Sequence, residues 1–128
     1  MNQTEVLFVE DSAGDALLTT QILTESLPQV RLHIDRDGEQ ALAMLADTQF
    51  RPAMIILDLS LPKLSGFEVL ERNPRKDVPV VIFSASENLS DMERTLSLGA
   101  KEYVHKPLNM SGYRNAVLQM VQNWAIAK

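Results

Sequence analysis

The stretch Met54-Ile55-Ile56-Leu57-Asp58-Leu59-Ser60-Leu61-Pro62 decides how this chain is read. A strand with one face in water alternates apolar and polar residues, whereas a strand buried on both faces is apolar throughout. Met54 to Leu57 is of the second kind, and it stops abruptly at a carboxylate. Two further stretches share that character. Val6-Leu7-Phe8-Val9 ends in Glu10-Asp11, and Val80-Val81-Ile82-Phe83 ends in Ser84. Three apolar strands, each ending in a polar residue, point to the middle of a parallel sheet with helices on both faces.

Outward from these runs the chain alternates regularly. The strand-like segments are Glu5–Val9, Arg31–Asp35, Ala53–Leu57, Val78–Phe83 and Glu102–Val104. Helix-period segments follow them at Asp15–Ser26, Gly38–Ala46, Gly66–Arg72, Ser90–Leu98 and Ser111–Ile126. Five strands each followed by a helix make a doubly wound (βα)₅ domain of the α/β class. Arg31–Asp35 and Glu102–Val104 are the more polar strands and belong at the edges. Asp37-Gly38-Glu39-Gln40 and Ser90-Asp91-Met92-Glu93 have the form of capping boxes. Pro28 closes the first helix, Gly99 the fourth, and Asn73-Pro74 ends the third within about two turns. Tyr113, Val117, Met120, Val121 and Trp124 form one apolar stripe on the last helix and read as core.

The 128 residues suit one domain, with 45% hydrophobic residues for a core and 23% charged residues for a surface. Residues 1–128 are expected to be that domain alone, with no output domain. Absence of cysteine excludes a disulfide scaffold, a thiolate metal site and a cysteine nucleophile. No stretch reaches the apolar length of a signal peptide or membrane span, so the expected compartment is the cytoplasm, with no membrane partner. A net charge of −5 argues against nucleic acid as a partner.

In an open parallel sheet the ligand site lies beyond the carboxyl ends of the strands. Those ends carry Glu10-Asp11, Asp58, Ser84 and His105-Lys106-Pro107. Three carboxylates brought together raise one another's pKa values, a conflict that a hard divalent cation such as Mg²⁺ resolves. Lys106 adds a point charge and Ser84 a hydroxyl, both suited to phosphoryl oxygens. A carboxylate beside a metal and a lysine is a plausible nucleophile for phosphoryl transfer.

Over its whole length the sequence resembles the receiver family of two-component response regulators, the chemotaxis-regulator-like proteins. The residues that carry the resemblance are Glu10-Asp11, Asp58 with Leu59-Ser60-Leu61-Pro62, Gly66, Ser84-Ala85 and Lys106-Pro107. It implies a flavodoxin-like fold with strand order 2-1-3-4-5. It also implies that Asp58 is the phosphoacceptor, working with Lys106 as the catalytic pair. Glu10, Asp11 (one of the two through a water), Asp58 and the Ser60 carbonyl would hold Mg²⁺, with Mn²⁺ as an alternative. Ser84 and Lys106 would bind the phosphoryl group, and Ser84 with Tyr103 would form the switch. Implied partners are a sensor histidine kinase and a downstream protein target or phosphotransfer protein. A homodimer through the helix 4–strand 5–helix 5 face belongs to the same set of expectations. Val9-Glu10-Asp11-Ser12-Ala13-Gly14-Asp15, Arg36-Asp37-Gly38-Glu39-Gln40-Ala41-Leu42 and Trp124 are similar to the small regulators paired with bacterial phytochromes, which makes a phytochrome-like kinase the finer expectation. Such a protein is a signalling phosphoacceptor that catalyses only its own phosphorylation and dephosphorylation. The lifetime of the phosphoryl group is not implied, because Ser60 and Ser86 occupy variable flanking positions.

Plainer readings stand beside these. A lone Asp at a strand end is commonly a cap or a surface charge, and a lone Ser there a turn residue. What lifts Asp58 and Ser84 above that is their conjunction with Glu10, Asp11 and Lys106 at separate strand ends. Tyr103 on an edge strand also reads as packing. His33 and His105 read as surface residues without metal or catalytic spacing. A flavodoxin-type carrier would not open its phosphate loop with Glu10-Asp11. An aspartate-based phosphatase would place an acid where Ser60 stands, and a degenerate receiver would have lost part of the set. Nucleotide-binding glycine motifs are absent.

Overall fold

A computed structural model describes residues 3–126. The strands are β1 (Thr4–Val9), β2 (Val30–Asp35), β3 (Met54–Leu57), β4 (Val80–Ser84) and β5 (Glu102–His105). The helices are α1 (Ala13–Ser26), α2 (Gly38–Ala46), α3 (Gly66–Arg72), α4 (Leu89–Ser97) and α5 (Met110–Val121), the last running into a π-helical turn, Gln122–Ile126. All strand pairs are parallel, in the order β2-β1-β3-β4-β5. The two polar strands lie at the edges, as their composition requires.

The pleat explains why the central strands have no polar face. Val6, Phe8, Met54, Ile56, Val81 and Phe83 project to one side, where Ile22 and Leu23 of α1 and Val117, Met120 and Val121 of α5 cover them. Leu7, Val9, Ile55, Leu57, Val80 and Ile82 project to the other, against Ala41 and Leu45 of α2 and Val69 and Leu70 of α3. Each large side chain buried this way contributes about 1.5–3 kcal/mol. Burial on both faces fixes the register, and the register sets the strand ends side by side. Val9 pairs with Leu57 and Ser84 with His105, so the residues that follow emerge on one edge.

Helix ends differ in detail from the sequence reading. α4 is capped by Asn88, whose Oδ1 accepts the Ser90 N–H at 2.8 Å and the Ser90 hydroxyl at 2.6 Å. Ser90 is therefore inside the helix, and no capping box forms between Ser90 and Glu93. At α2 Asp37 does cap, accepting the Gln40 N–H at 2.8 Å, but Gln40 returns its bond to the Arg36 N–H instead of Asp37. The complete box is at α3, where Ser65 and Glu68 exchange bonds of 3.0 and 3.2 Å. Asn73 ends α3 after two turns as expected. Gly99 has φ +111°, a conformation that side-chain-bearing residues resist, so it can turn the chain out of α4.

Two further expectations need correction. The last helix is not regular to Ile126. Its final turn widens to i→i+5 bonding, which shifts the phase of the stripe. Ala125 takes the buried position, while Trp124 is only half-buried and donates Nε1–H to Glu102 at 2.9 Å. His33 is not a surface residue. Its side chain is 20% exposed, lies 2.6 Å from a Glu5 carboxylate oxygen and meets the Phe50 ring edge-to-face at 4.9 Å. Phe50, in the segment after α2, packs against this edge strand at His33. His105 does stay at the surface, with Nε2 3.1 Å from the Ala85 carbonyl and 3.2 Å from Glu87.

Among the described residues, no helix is long and apolar enough to cross a membrane.

Candidate functional site

The carboxyl edge of the sheet gathers the expected residues through backbone bonds alone. The Glu10 N–H donates to the Asp35 carbonyl at 2.9 Å, Asp58 N–H to Val9 at 3.1 Å and Lys106 N–H to Ser84 at 2.8 Å. These continue the sheet ladder by one residue, so each side chain begins from a fixed point. Glu10, Asp58 and Ser84 are buried, while Asp11 is exposed at the rim.

Lys106 is the hub. Its ammonium donates to Glu10 Oε1 at 2.6 Å, to Asp15 Oδ2 at 2.8 Å and to Asp58 Oδ2 at 3.3 Å. An ammonium has three protons, and all three are used. Burial alone would lower its pKa, but the bonds to Asp15 and Glu10 and the charges of Asp58 and Glu10 raise it above the ordinary lysine range. Glu10 moves the other way from a normal ion-paired acid. Burial pushes it from 4.5 up to about 6, against the Lys106 bond and with the help of the Asp58 charge; the Ser12 N–H bond, 3.0 Å long, also opposes the rise. Three carboxylates against one ammonium leave an excess of negative charge at this edge.

The acceptor loop is held closely. Gly66 packs directly on the backbone after β3: a Cβ there would sit 2.4 Å from the Asp58 carbonyl oxygen and 2.6 Å from Leu59 Cα. Its N–H bonds the Leu59 carbonyl at 2.9 Å. This explains a glycine eight residues after Asp58. Lys63, at φ 70°, turns the same loop toward α2 and lies 3.7 Å from both Asp37 and Glu39. The Ser60 N–H reaches toward Asp58 Oδ1 at 3.5 Å.

On the β4 side, Ser84 Oγ is engaged within its own loop and accepts the Ser86 N–H at 3.3 Å. Tyr103 is half-buried under that loop, and its hydroxyl donates to the Ser86 carbonyl at 2.8 Å. Tyr103 therefore does more than pack.

The proposed metal set is arranged unevenly. Among the described residues, no three Asp, Glu, His or Cys side chains stand close enough to enclose a metal ion in this conformation. Asp11 lies at the exposed rim, its carbonyl accepting from Arg36 at 2.9 Å, and the Lys106 ammonium bridges Glu10 and Asp58. The donors themselves are all hard oxygens with excess negative charge, which suits Mg²⁺ or Mn²⁺.

Asp15 is the residue that sequence reasoning missed. It was visible one turn into α1, close behind Glu10-Asp11, but an acid there reads as a helix-start residue. Only the fold carries Lys106, 91 residues away, onto it. A cavity of about 300 Å³ opens beside this pair, lined in part by Ala85, Pro107, Met110 and Tyr113.

Comparison with known proteins agrees with this geometry. Residues 6–118 match the family model described as the response regulator receiver domain. The response regulator Rcp1 of Synechocystis is 35% identical, over 93% of this chain and 87% of its own length. Its Mn²⁺-bound crystal structure superposes with a TM-score of 0.87, covering 98% of this chain and 96% of that one at 34% identity. The phosphorylated cyanobacterial phytochrome response regulator RcpA gives a TM-score of 0.88 at 32% identity, covering 95% and 94% of the two chains. The receiver domain of the Pseudomonas aeruginosa sensor histidine kinase PA1611, with magnesium in its active-site cleft, gives 0.78 at 28% identity and covers 95% and 97%. With the strand order, the buried acids and the lysine hub on one sheet edge, these matches place the chain in the response-regulator receiver family of two-component signalling.

Proposed function

We propose that this chain accepts a phosphoryl group on Asp58 from the phosphohistidine of a sensor histidine kinase and passes the signal on by a change in partner binding. The observation that carries the reading is the Lys106 ammonium held between buried Glu10 and Asp58, at 2.6 and 3.3 Å. An Asp58 carboxylate oxygen attacks phosphorus. The new O–P bond forms as the bond from phosphorus to the donor breaks, and its electron pair leaves with the donor. Lys106 supplies a positive charge for the phosphoryl oxygens, and Ser84 a hydroxyl. Glu10, Asp11, Asp58 and the Ser60 carbonyl would hold a divalent cation, Mg²⁺ or Mn²⁺. When bound, that ion supplies the charge neutralisation that this acid-rich edge lacks and phosphoryl transfer requires.

Ser84 and Tyr103 form the switch in this reading, and the α4–β5–α5 face presents the result to a downstream protein, a phosphotransfer protein or a second copy of the chain. The similarity to phytochrome response regulators favours a phytochrome-like kinase as the donor. The decisive test is labelling by acetyl phosphate with Mg²⁺, read by intact mass. Asp58→Asn should abolish an acid-labile adduct of one phosphoryl group. Undiminished labelling, or an acid-stable phosphate on a hydroxyl, would overturn the assignment.

A further inference from the structure

Of the three acids on Lys106, two already have duties under the proposed function: Glu10 toward the cation and Asp58 toward phosphorus. Asp15 has none, yet its oxygen is nearer the ammonium than that of Asp58, 2.8 against 3.3 Å. An acid in the first turn of a helix is often no more than a partner for the positive helix end. Here that end is already served by Ser12, which accepts the Asp15 N–H at 3.1 Å. The carboxylate itself reaches across the chain. The first two turns of α1 are also tied to α5, since the Tyr113 hydroxyl lies 2.9 Å from Thr19 Oγ1 and donates to the Asp15 carbonyl at 3.5 Å.

We infer that Asp15 is a positioning residue for Lys106, holding the ammonium off Asp58 before transfer and remaining its fixed partner afterwards. The inference rests on the reading of Asp58 as acceptor. Asp15 lies toward the rim, with its side chain 32% exposed, whereas those of Glu10 and Asp58 are buried behind it. It therefore draws the ammonium outward. Without that pull, Lys106, already 2.6 Å from Glu10, closes on Asp58 as well. A close ion pair blunts the nucleophile, and it competes with a divalent cation for the same oxygens. After transfer Asp58 no longer offers a free carboxylate. Lys106 can then turn to the phosphoryl oxygens while Asp15 keeps it at the site.

A double-mutant cycle tests this, with two measurements on the folded, full-length chain: calorimetric affinity for Mn²⁺ without any phosphodonor, and the rate of labelling by acetyl phosphate. Asp15→Asn should weaken the first and slow the second by about three- to tenfold, the effect of losing one charge-assisted hydrogen bond at a partly exposed site. In a Lys106→Ala background the same substitution should change Mn²⁺ affinity by less than about twofold, the usual limit for uncoupled positions. Asp15→Ser, which keeps a polar first turn, serves if Asp15→Asn does not fold. Equal effects in both backgrounds would mean that Asp15 acts only as a surface charge or helix-end residue, and the inference fails. No effect in the wild-type background also overturns it. If instead Lys106→Ala leaves labelling unchanged while Asp58→Asn abolishes it, the acceptor stands but the role of Lys106 falls, and this inference with it.

Discussion

Tyr103 is hydrogen-bonded to Ser86, its hydroxyl donating to the Ser86 carbonyl at 2.8 Å, and so it ties β5 to the loop that follows β4. That loop also holds Ser84 Oγ through the Ser86 N–H, and the Ser86 hydroxyl donates to Asp91 of α4 at 2.9 Å. Ser84 Oγ accepts the Ser86 N–H with a lone pair, and its own proton is left for a phosphoryl oxygen, which would draw the loop inward. Under the proposed switch, the Tyr103 bond is a contact of the resting state that the phosphorylated state would give up. A ligand shifts a pair of states only by its differential affinity, so removing a resting-state bond favours the other state.

Tyr103→Phe keeps the ring and deletes that bond, which is worth about 1 kcal/mol. We expect beryllofluoride, a phosphoryl mimic, to bind the variant about fivefold more tightly, by fluorescence or NMR titration. Unchanged or weaker affinity would show that the hydroxyl does not restrain the loop. Ser84→Ala should act in the opposite direction, keeping phosphorylation and losing much of the spectral response.

The acid cluster predicts an unusual dependence of stability on pH. Glu10 has a folded pKa of about 6 against an ordinary 4.5, so the folded chain binds more protons than the unfolded chain between those values. Its contribution to stability is present below about 4.5 and is lost as pH rises through about 6. Glu10→Gln should therefore stabilise the metal-free protein by about 1–2 kcal/mol near neutral pH. The gain should fade as pH falls toward 4.5, vanish below it, and shrink when Mg²⁺ saturates the wild type. Urea unfolding of both proteins across this range is the measurement, and a pH-independent difference would contradict it.

Gly66→Ala should be costly out of proportion to one methyl group. The new carbon would meet the Asp58 carbonyl at 2.4 Å and Leu59 Cα at 2.6 Å, both backbone, so no side chain can yield. We expect a loss of about 1–3 kcal/mol in urea unfolding at an unchanged m value, with slower labelling by acetyl phosphate because the acceptor loop is displaced. Wild-type stability and rate in this variant would mean that α3 moves freely relative to β3.

Much of this protein was legible before its structure. Apolar runs without alternation identify β1, β3 and β4 as central, and the polar character of Arg31–Asp35 and Glu102–Val104 marks the edges. Capping was less legible. Asn88 and Ser90 are both good caps within three residues, and local preference does not decide between them. His33 was misjudged because nothing local to β2 reports that Phe50 will cover it.

By itself the sequence determined which residues stand at strand ends, because a two-residue period and an abrupt polar stop are local properties of the chain. Asp58, Glu10, Ser84 and Lys106 follow from that alone, helped by family resemblance for their roles. Only the tertiary structure decided what each side chain does with its charge. Which acid Lys106 prefers, why Glu10 is hard to ionise and what Tyr103 holds depend on distances between residues from 17 to 96 positions apart. Such distances are set by packing on both faces of the sheet. Electrostatic energies in a buried site vary steeply with them, and no local pattern encodes either.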